Sequence, residues 1–363
     1  MTPFIRDDFA GPGGWSEGLR LLGLQDNGIE FDWAAVHTAR AAGHRRWLVD
    51  VRSDACRNYP WPPIWLYIAS PPCQTFSMAG KGSGRDHIAH LVKALHLVAG
   101  GALPEDAIRE VADEALDERS VLVLEPMLVI RRHGPANVAM EQVPPVLPIW
   151  EAYAEILRGW GYSAWTGILH SEQYGVPQTR RRAVLMASRE REVAPPAPTH
   201  SRYHSHTPDR LDEGLLPWVS MAQALGVASS LRSNYGTSGN PENRGEREAT
   251  EPAPTMTGKA GRNFWVLQGN QKPNGVDYQQ RSIENPAQTI TGEAGSFLFV
   301  QDEGSRHVTV EEAGVLQSFP ADYPWVGNKG KRFEQVGNAV PPLMAAHIVA
   351  AVLGLDPTSP RPG

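Results

Sequence analysis

The sequence predicts an α/β fold with a mostly parallel, doubly wound sheet and an inserted, mostly irregular and β region. Two observations support this prediction. Strand-like and helical patterns alternate through the first half of the chain, which is typical of parallel sheets. After Ser188 the composition changes, because Pro, Gly, Thr, Asn and Arg become frequent and helical patterns become rare until about residue 307.

The alternating patterns in residues 1–188 follow one another closely. Strands are predicted at residues 3–9, 28–32, a short run ending at 49, 64–70, 137–143 and 182–187. Helices are predicted at residues 15–22, 34–42, 86–99, 104–116, 122–132 and 150–160. Each strand is therefore followed by a connection long enough to return the chain to a parallel neighbour.

Residues 189–306 contain an internal repeat. The segment that begins at Pro252 recurs from Pro286, an offset of 286 − 252 = 34 residues, and Arg247 and Arg281 precede the two copies at the same distance. Two copies are too few for a solenoid, so we predict a duplicated turn-and-strand unit that presents loops. Residues 307–363 return to helical patterns and are expected to rejoin the first region.

Composition excludes several classes of protein. The 363 residues are 41% apolar and 20% charged, which argues against disorder. Only two cysteines occur, Cys56 and Cys73, too few for a disulfide framework. Since no apolar stretch approaches a membrane span and no leader pattern begins the chain, we expect a cytoplasmic protein without a membrane segment.

The net charge of −6 is unevenly distributed. One acidic patch holds Glu105, Asp106, Glu110, Asp113, Glu114, Asp117 and Glu118. A neutral or basic face elsewhere remains available for a phosphate backbone. We expect the patch to lie away from any nucleic-acid cleft and to serve as a partner surface.

A glycine-rich turn follows the first predicted strand, between Asp8 and Gly18. A strand end, glycines and a helix place backbone amides and a helix N-terminus near a ligand. Ser16 stands where a dinucleotide site requires its last glycine, which disfavours an NAD-linked oxidoreductase. The alternative is a tight turn with only a structural role.

Acidic residues close the next two predicted strands. Asp32 can accept from ribose hydroxyls while Trp33 packs on an adenine face, and Asp50 can accept from an adenine amino group. The alternatives are a helix N-cap for Asp32 and a loop carboxylate for Asp50. Suitable groups at three consecutive strand ends favour an adenosine site.

Cys73 follows the predicted strand 64–70 and two prolines, Pro71 and Pro72. Open α/β sheets place their chemistry at the carboxyl ends of strands. A small buried hydrophobe is the alternative for this thiol, and it is the preferred interpretation for Cys56.

Five segments together resemble, in order and approximate spacing, the motifs of the cytosine-C5 DNA methyltransferases. They are Phe9-Ala10-Gly11-Pro12-Gly13-Gly14, Pro72-Cys73-Gln74, Glu141-Gln142-Val143, Gln178-Thr179-Arg180-Arg181-Arg182 and Gly337-Asn338-Ala339-Val340-Pro341-Pro342. The resemblance implies a Rossmann-like class I methyltransferase fold that uses S-adenosyl-L-methionine. Residues 1–188 would then be the catalytic domain, 189–306 the target-recognition domain, and 307–363 a segment returning to the catalytic domain.

The resemblance also implies the chemistry. The Cys73 thiolate would add to C6 of cytosine and push electron density onto C5. Glu141 would be the acid near N3, Arg182 would contact the base, and Arg180 would help to order Glu141 and the site. A base inside a duplex cannot present C6 to a thiol, so the target would be flipped out of double-stranded DNA.

Further site residues are implied in the same way. The cofactor set is Phe9, Ala10, Gly11, Gly13, Gly14, Asp32, Trp33, Asp50, Val51, Pro72, Asn338 and Ala339. The DNA-binding set is Gln74, Ser77, Lys81, Arg247, Lys259, Arg262 and Arg281. No metal is expected, and the enzyme would act as a monomer that does not require a cognate restriction endonuclease for activity.

The sequence departs from the family pattern at three places. Between Gly84 and Asp117 it has an extra helical stretch relative to compact members, and this stretch holds most of the acidic patch. Gln142 stands where the commonest motif has Asn, and its longer side chain would change loop positioning slightly. Glu311 and Val315 stand where Arg is frequent, which makes the packing of that segment less predictable. Two alternatives stay open: an RNA cytosine-C5 methyltransferase, and a catalytically silent DNA-binding relative.

Overall fold

The computed structural model describes residues 3–72, 75–76, 87–112, 116–204, 206–207, 209–226, 231–232, 246–247, 266–268, 280–290, 298–301 and 304–357. Its centre is a seven-stranded sheet. The first eight strands are β1 Phe4–Asp8, β2 Asn27–Glu30, β3 Arg45–Leu48, β4 Ile64–Ala69, β5 Asn137–Gln142, β6 Ser163–His170, β7 Gln178–Thr179 and β8 Arg181–Ser188.

The order of the strands in this sheet is β3-β2-β1-β4-β5-β8-β6, and β7 lies outside it. Strands β1 to β5 pair in parallel, whereas β8 is antiparallel to both β5 and β6. The prediction of a mostly parallel α/β sheet is confirmed. The order reverses beside β1, and in open α/β sheets ligands bind at such a switch point.

Helices connect these strands and follow them. They are α1 Gly14–Leu21, α2 Trp33–Ala41, α3 Asp54–Arg57, α4 Ile88–Gly100, α5 Pro104–Val111, α6 Glu118–Val121, α7 Glu125–His133, α8 Leu147–Gly159, α9 Met221–Leu225, α10 Val310–Leu316, α11 Lys329–Asn338 and α12 Pro342–Leu353. Short 3₁₀ turns occur at Leu122–Leu124, Pro144–Val146 and Ser171–Tyr174.

Alternate residues of the sheet strands enter two separate cores, because successive side chains on a strand point to opposite faces. On β4, Tyr67 packs in one core with α4, α7 and α8, whereas its neighbour Ile68 packs in the other with α1 and α12. The sheet is therefore covered by helices on both faces.

The C-terminal helix α12 packs directly on α1. This close approach requires a glycine at position 18, where an added Cβ would lie 2.7 Å from the Cβ of Ala345 and 2.8 Å from the carbonyl oxygen of Pro342. Residues 329–353 are apolar and long enough to match a membrane span by composition, but 83% of the apolar window is buried inside the protein. A core position explains this apolar run.

The described part of residues 189–306 contains seven short strands. Strands β9 Leu231–Arg232 and β10 Glu246–Arg247 form one pair. A four-stranded antiparallel sheet has the order β12-β11-β14-β15, with β11 Val266–Gln268, β12 Gln280–Ser282, β14 Leu298–Gln301 and β15 Gly304–His307. The remaining strand, β13 Ala287–Gln288, pairs in parallel with β7 and so contacts the first half of the chain.

Two element ends and one whole strand are the main differences from the sequence prediction. Strand β2 ends at Glu30 rather than at residue 32, because the Asp32 side chain accepts from the Ala35 amide and caps α2. Helix α5 ends at Val111, short of residue 116. Strand β6 was not predicted, because it is a half-buried edge strand with weak alternation of apolar and polar residues.

Candidate active site

A cavity of about 360 Å³ opens at the carboxyl ends of β1 to β4. Ten of the twelve residues predicted to bind a cofactor line it: Phe9, Ala10, Gly11, Gly14, Asp32, Asp50, Val51, Pro72, Asn338 and Ala339. Glu141 and Arg182, predicted as catalytic residues, line the same cavity. The fold thus brings together residues that lie more than 300 positions apart in the chain.

The glycine-rich turn forms one wall. Phe9 and Gly11 both have positive φ angles, 61° and 54°, so the chain turns sharply at the end of β1. The backbone N–H of Gly11 donates to the Glu30 carboxylate at 2.9 Å. At Gly14 an added Cβ would lie 2.2 Å from the Val340 carbonyl oxygen, so only glycine lets the C-terminal segment close against the turn.

Glu30 and Phe31 occupy the position expected for Asp32 and Trp33. Glu30 is the last residue of β2, and it and the exposed Phe31 line the cavity. Burial raises the pKa of Glu30, although the amides of Gly11, Phe31 and Asp32 all donate to its carboxylate. Neither residue was predicted to bind a cofactor, because the predicted strand ended two residues beyond Glu30.

Asp32 and Trp33 lie in different positions. Asp32 lines the cavity, and its side chain also caps α2, as in the N-cap alternative, and pairs with Lys331 at 3.1 Å. Trp33 does not line the cavity; its ring stacks on His37, with centroids 4.1 Å apart. The capping position of Asp32 was the available signal, since it moves the strand end back to Glu30.

Gly13 also lies outside the cavity lining, and it serves the turn instead. It precedes α1 with a φ of 116°, and an added Cβ would lie 2.7 Å from the Tyr323 hydroxyl and 2.8 Å from the His44 ring. Its role is to permit the backbone conformation and the close packing behind the turn.

A chain of ion pairs lies among the residues that line the cavity. Arg52 pairs with Asp50 at 2.9 Å and with Glu118 at 3.2 Å. The Arg52 guanidinium holds the pKa of Asp50 below its usual value. Glu118 belongs to the acidic patch, so the C-terminal end of this patch reaches the cavity, where Glu118 and Arg119 form part of the lining.

Glu141 and Arg182 form a buried ion pair deeper in the cavity. Glu141 lies on β5 and Arg182 on the antiparallel neighbour β8, and Arg182 Nε lies 2.5 Å from Glu141 Oε1. Their side chains are 6% and 10% exposed. Because breaking such a pair leaves an uncompensated buried charge, each partner holds the other in position.

Arg180, predicted to help order Glu141 and the site, binds the backbone of the C-terminal segment and of the segment after β13. Its two terminal nitrogens donate to the carbonyl oxygens of Ile290, Gly337 and Ala339, at 2.9–3.0 Å. Arg180 precedes β8, so the strand alternation that would have placed it beside Arg182 does not extend to it. It joins the end of α11 and the segment after β13 to the sheet.

The predicted nucleophile, Cys73, and its neighbour Gln74 lie outside the described residues. The segment before them lies at the cavity, where Ser70, Pro71 and Pro72 form part of the wall. Downstream, Phe76 is fully buried in the core that contains α4. Cys56, by contrast, is buried, and burial raises the pKa of its thiol to about 11.

Among the predicted DNA-binding residues, Arg281 makes its contacts within the protein. Its guanidinium donates to Thr179 Oγ1 at 2.5 Å and to the Pro286 carbonyl at 3.0 Å, and it stacks on Tyr203 with 4.9 Å to the ring centroid. It therefore holds the β12–β13 connection on β7. Arg247 lies in β10, and the other predicted DNA-binding residues are outside the part of the chain that the structure describes: Gln74, Ser77, Lys81, Lys259 and Arg262.

Comparison with known proteins identifies the group to which these features correspond. A model of the family described as C-5 cytosine-specific DNA methylase matches residues 112–354. The type II methyltransferase M1.HphI of Haemophilus parahaemolyticus is 26% identical over 371 residues, covering 96% of this chain and 86% of that protein. M.AplI of Arthrospira platensis is 26% identical over 357 residues, covering 96% and 85%.

Among solved structures, the Dnmt2 methyltransferase of S. pombe is similar with a TM-score of 0.57 at 15% identity, covering 97% of this chain and 98% of that one. The methyltransferase EhMeth of Entamoeba histolytica gives a TM-score of 0.56 at 13% identity, covering 98% of each chain. At these identities the likeness concerns the fold.

Proposed function

The chain belongs to the C-5 cytosine-specific DNA methylase family, and from this premise we propose that it transfers a methyl group from S-adenosylmethionine to C5 of cytosine in a specific double-stranded DNA sequence. The observation that carries this proposal is the placement of the Glu141–Arg182 pair in the same cavity as the glycine-rich turn and Pro72. A cofactor site and an acid–cation pair thus meet next to the residue that precedes Cys73.

The residues around the cavity suit S-adenosylmethionine. The Glu30 carboxylate can accept from ribose hydroxyls, the exposed Phe31 ring can stack on adenine, and Asp50 can accept from the adenine amino group. The N-terminus of α1 and the backbone of the glycine-rich turn favour an anionic group. When bound, S-adenosylmethionine supplies an electrophilic methyl group.

The chain's own residues supply the activation of the base. The Cys73 thiolate forms a bond to C6, and the C5–C6 electron pair moves toward C5, which becomes nucleophilic. Glu141 donates a proton at N3 as the thiolate adds, and Arg182 orients both the carboxyl group and the ring. After methyl transfer a water molecule accepts the C5 proton, the bond between Cys73 and C6 breaks as the thiolate leaves, and the N3 proton returns to Glu141. These steps restore the aromatic ring and regenerate both side chains.

Access to C6 requires the cytosine to leave the duplex. We assign target recognition to residues 189–306, which lie between the arginine motif and the C-terminal helices, and catalysis to residues 1–188 with 307–363. Strand β13 and Arg281 support this division, because they connect the recognition region to β7 directly beside the catalytic arginines. We further propose that the enzyme acts as a monomer whose activity does not require a cognate restriction endonuclease.

Covalent trapping tests this function. Duplex DNA that contains 5-fluorocytosine should trap the wild-type enzyme, because fluorine blocks release of the intermediate. Cys73→Ser should abolish trapping, whereas Cys56→Ser, which replaces the buried thiol outside the site, should retain it. Trapping that survives Cys73→Ser would refute the mechanism.

Bisulfite sequencing of DNA from cells that express the enzyme should show methylation at one short sequence. Parallel assays on duplex DNA and transfer RNA distinguish the proposed substrate from the RNA alternative. Methyl incorporation into transfer RNA alone would contradict the proposal, and binding of DNA without incorporation would indicate a silent relative.

A further inference from the structure

Two buried side chains hold the backbone segment that leads to Cys73. The Trp15 indole N–H donates to Ser70 Oγ at 2.8 Å, and the Gln142 side-chain amide donates to the Pro71 carbonyl oxygen at 2.6 Å. Trp15 and Gln142 are each 2% exposed. The first contact comes from α1, behind the cofactor turn, and the second from β5, directly after Glu141.

The orientation of the Gln142 amide is determined by its two partners. Its oxygen accepts the backbone N–H of Val143 at 2.5 Å, while its nitrogen donates to the Pro71 carbonyl. If the amide were flipped, its NH₂ group would face the Val143 N–H and its oxygen would face the Pro71 carbonyl oxygen. The side chain therefore links the strand that bears Glu141 to the segment that bears the nucleophile, with both hydrogen bonds buried.

Two prolines limit the backbone freedom next to the Gln142–Pro71 hydrogen bond. Pro71 and Pro72 have restricted φ angles, and the residue before a proline is restricted as well, so little backbone freedom remains in the segment. Holding the Pro71 carbonyl consequently sets the direction of the chain at Pro72, the residue that precedes Cys73. Glu141 immediately precedes Gln142 on β5, so the acid and the nucleophile segment share one support.

We propose that Gln142 is a positioning residue that sets the placement of the Cys73 segment relative to Glu141, an inference that rests on the proposed function. The length of the Gln142 side chain determines whether its amide reaches the Pro71 carbonyl. Asn is shorter by one carbon–carbon bond, about 1.5 Å, so an Asn amide at this position would not reach Pro71 without a shift of the loop. Gln142→Asn should therefore impair the enzyme although it restores the commoner family residue.

The expected effect is on the chemical step. A misplacement of about 1 Å in a reacting group can lower a rate by about 100-fold. We expect Gln142→Met and Gln142→Asn to lower the single-turnover methylation rate by about 10- to 100-fold, with the dissociation constant of S-adenosylmethionine close to that of the wild type.

Tyr162→Phe is the matched control. The Tyr162 hydroxyl also donates to a buried proline carbonyl, that of Pro135, at 2.7 Å, but it lies at the opposite end of β5 from Glu141. Loss of this bond should lower stability without lowering the single-turnover rate. Comparing the two positions separates the loss of a buried hydrogen bond from the loss of positioning.

The experiment measures single-turnover rate, cofactor affinity and unfolding midpoint for the full-length wild type and the three variants. Wild-type rates in both Gln142 variants would overturn the proposal, as would equal rate losses in Tyr162→Phe. A wild type that is not trapped by 5-fluorocytosine DNA would instead refute the proposed function. In that case the alkylation rate of Cys73 by a maleimide tests the positioning alone. This rate should change several-fold in Gln142→Met, and an unchanged rate would overturn the positioning proposal.

Discussion

Replacement of Gly18 by alanine should destabilise the protein although alanine is the better helix former. Gly18 lies in α1, and an added Cβ would lie 2.7 Å from Ala345 Cβ and 2.8 Å from both the Ala346 nitrogen and the Pro342 carbonyl oxygen. Carbon atoms pack at about 3.5–4.0 Å, so α12 must move away from α1 by about 1 Å. Two of the three neighbours are backbone atoms, which cannot rotate out of the way.

The magnitude follows from two opposing effects. Overpacking of a well-packed core costs about 1–3 kcal/mol, and the backbone contacts favour the upper part of that range. Replacing glycine by alanine inside a helix contributes about 0.8–1.0 kcal/mol in the stabilising direction. The net expectation for Gly18→Ala is a loss of about 2 kcal/mol in the free energy of unfolding.

Urea unfolding of Gly18→Ala and Gly159→Ala provides the assay. Gly159 is also helical, at the end of α8, but no atom lies within 4 Å of its added Cβ. Gly159→Ala should therefore stabilise the protein slightly, by up to about 1 kcal/mol. If Gly18→Ala proved as stable as Gly159→Ala, the inference that α12 is seated on the Gly18 backbone would be refuted.

Three further predictions concern individual side chains. Glu30→Gln should weaken cofactor binding in calorimetric titration and Trp33→Ala should not, so equal effects of the two variants would contradict the assignment of Glu30. Burial raises the pKa of Glu30, and hydroxyl donors need its ionised form. Binding to the wild type should therefore weaken as the pH falls, before the ordinary glutamate pKa of about 4.3 is reached. Arg281→Ala should lower the unfolding midpoint and leave the salt dependence of DNA binding unchanged, since the Arg281 guanidinium donates to Thr179. A shallower dependence of the DNA-binding constant on salt concentration in the variant would show that Arg281 contacts DNA. Glu141→Gln should lower the single-turnover rate by about 10²- to 10⁴-fold with cofactor affinity retained, and a retained rate would show that the acid lies elsewhere.

Much of the sheet could be predicted from local patterns. The β1, β4 and β5 strands lie within one or two residues of their predicted positions, because they are apolar runs bounded by turn signals. The prediction failed where burial is partial, as for the edge strand β6. It also failed at the end of β2, where a capping signal competed with a functional interpretation of the same aspartate.

The sequence by itself determined the α/β class, the glycine-rich turn and the order of five motifs, since these depend on local periodicity and on residue type. Only the tertiary structure decided which side chains share the cavity: Glu30 rather than Trp33, and Arg182 as the partner of Glu141 while Arg180 holds the C-terminal segment. The physical reason is that side-chain direction follows a period of two only within a strand. At strand ends, where this site lies, contacts with distant segments such as 337–340 and 287–290 determine where each side chain points.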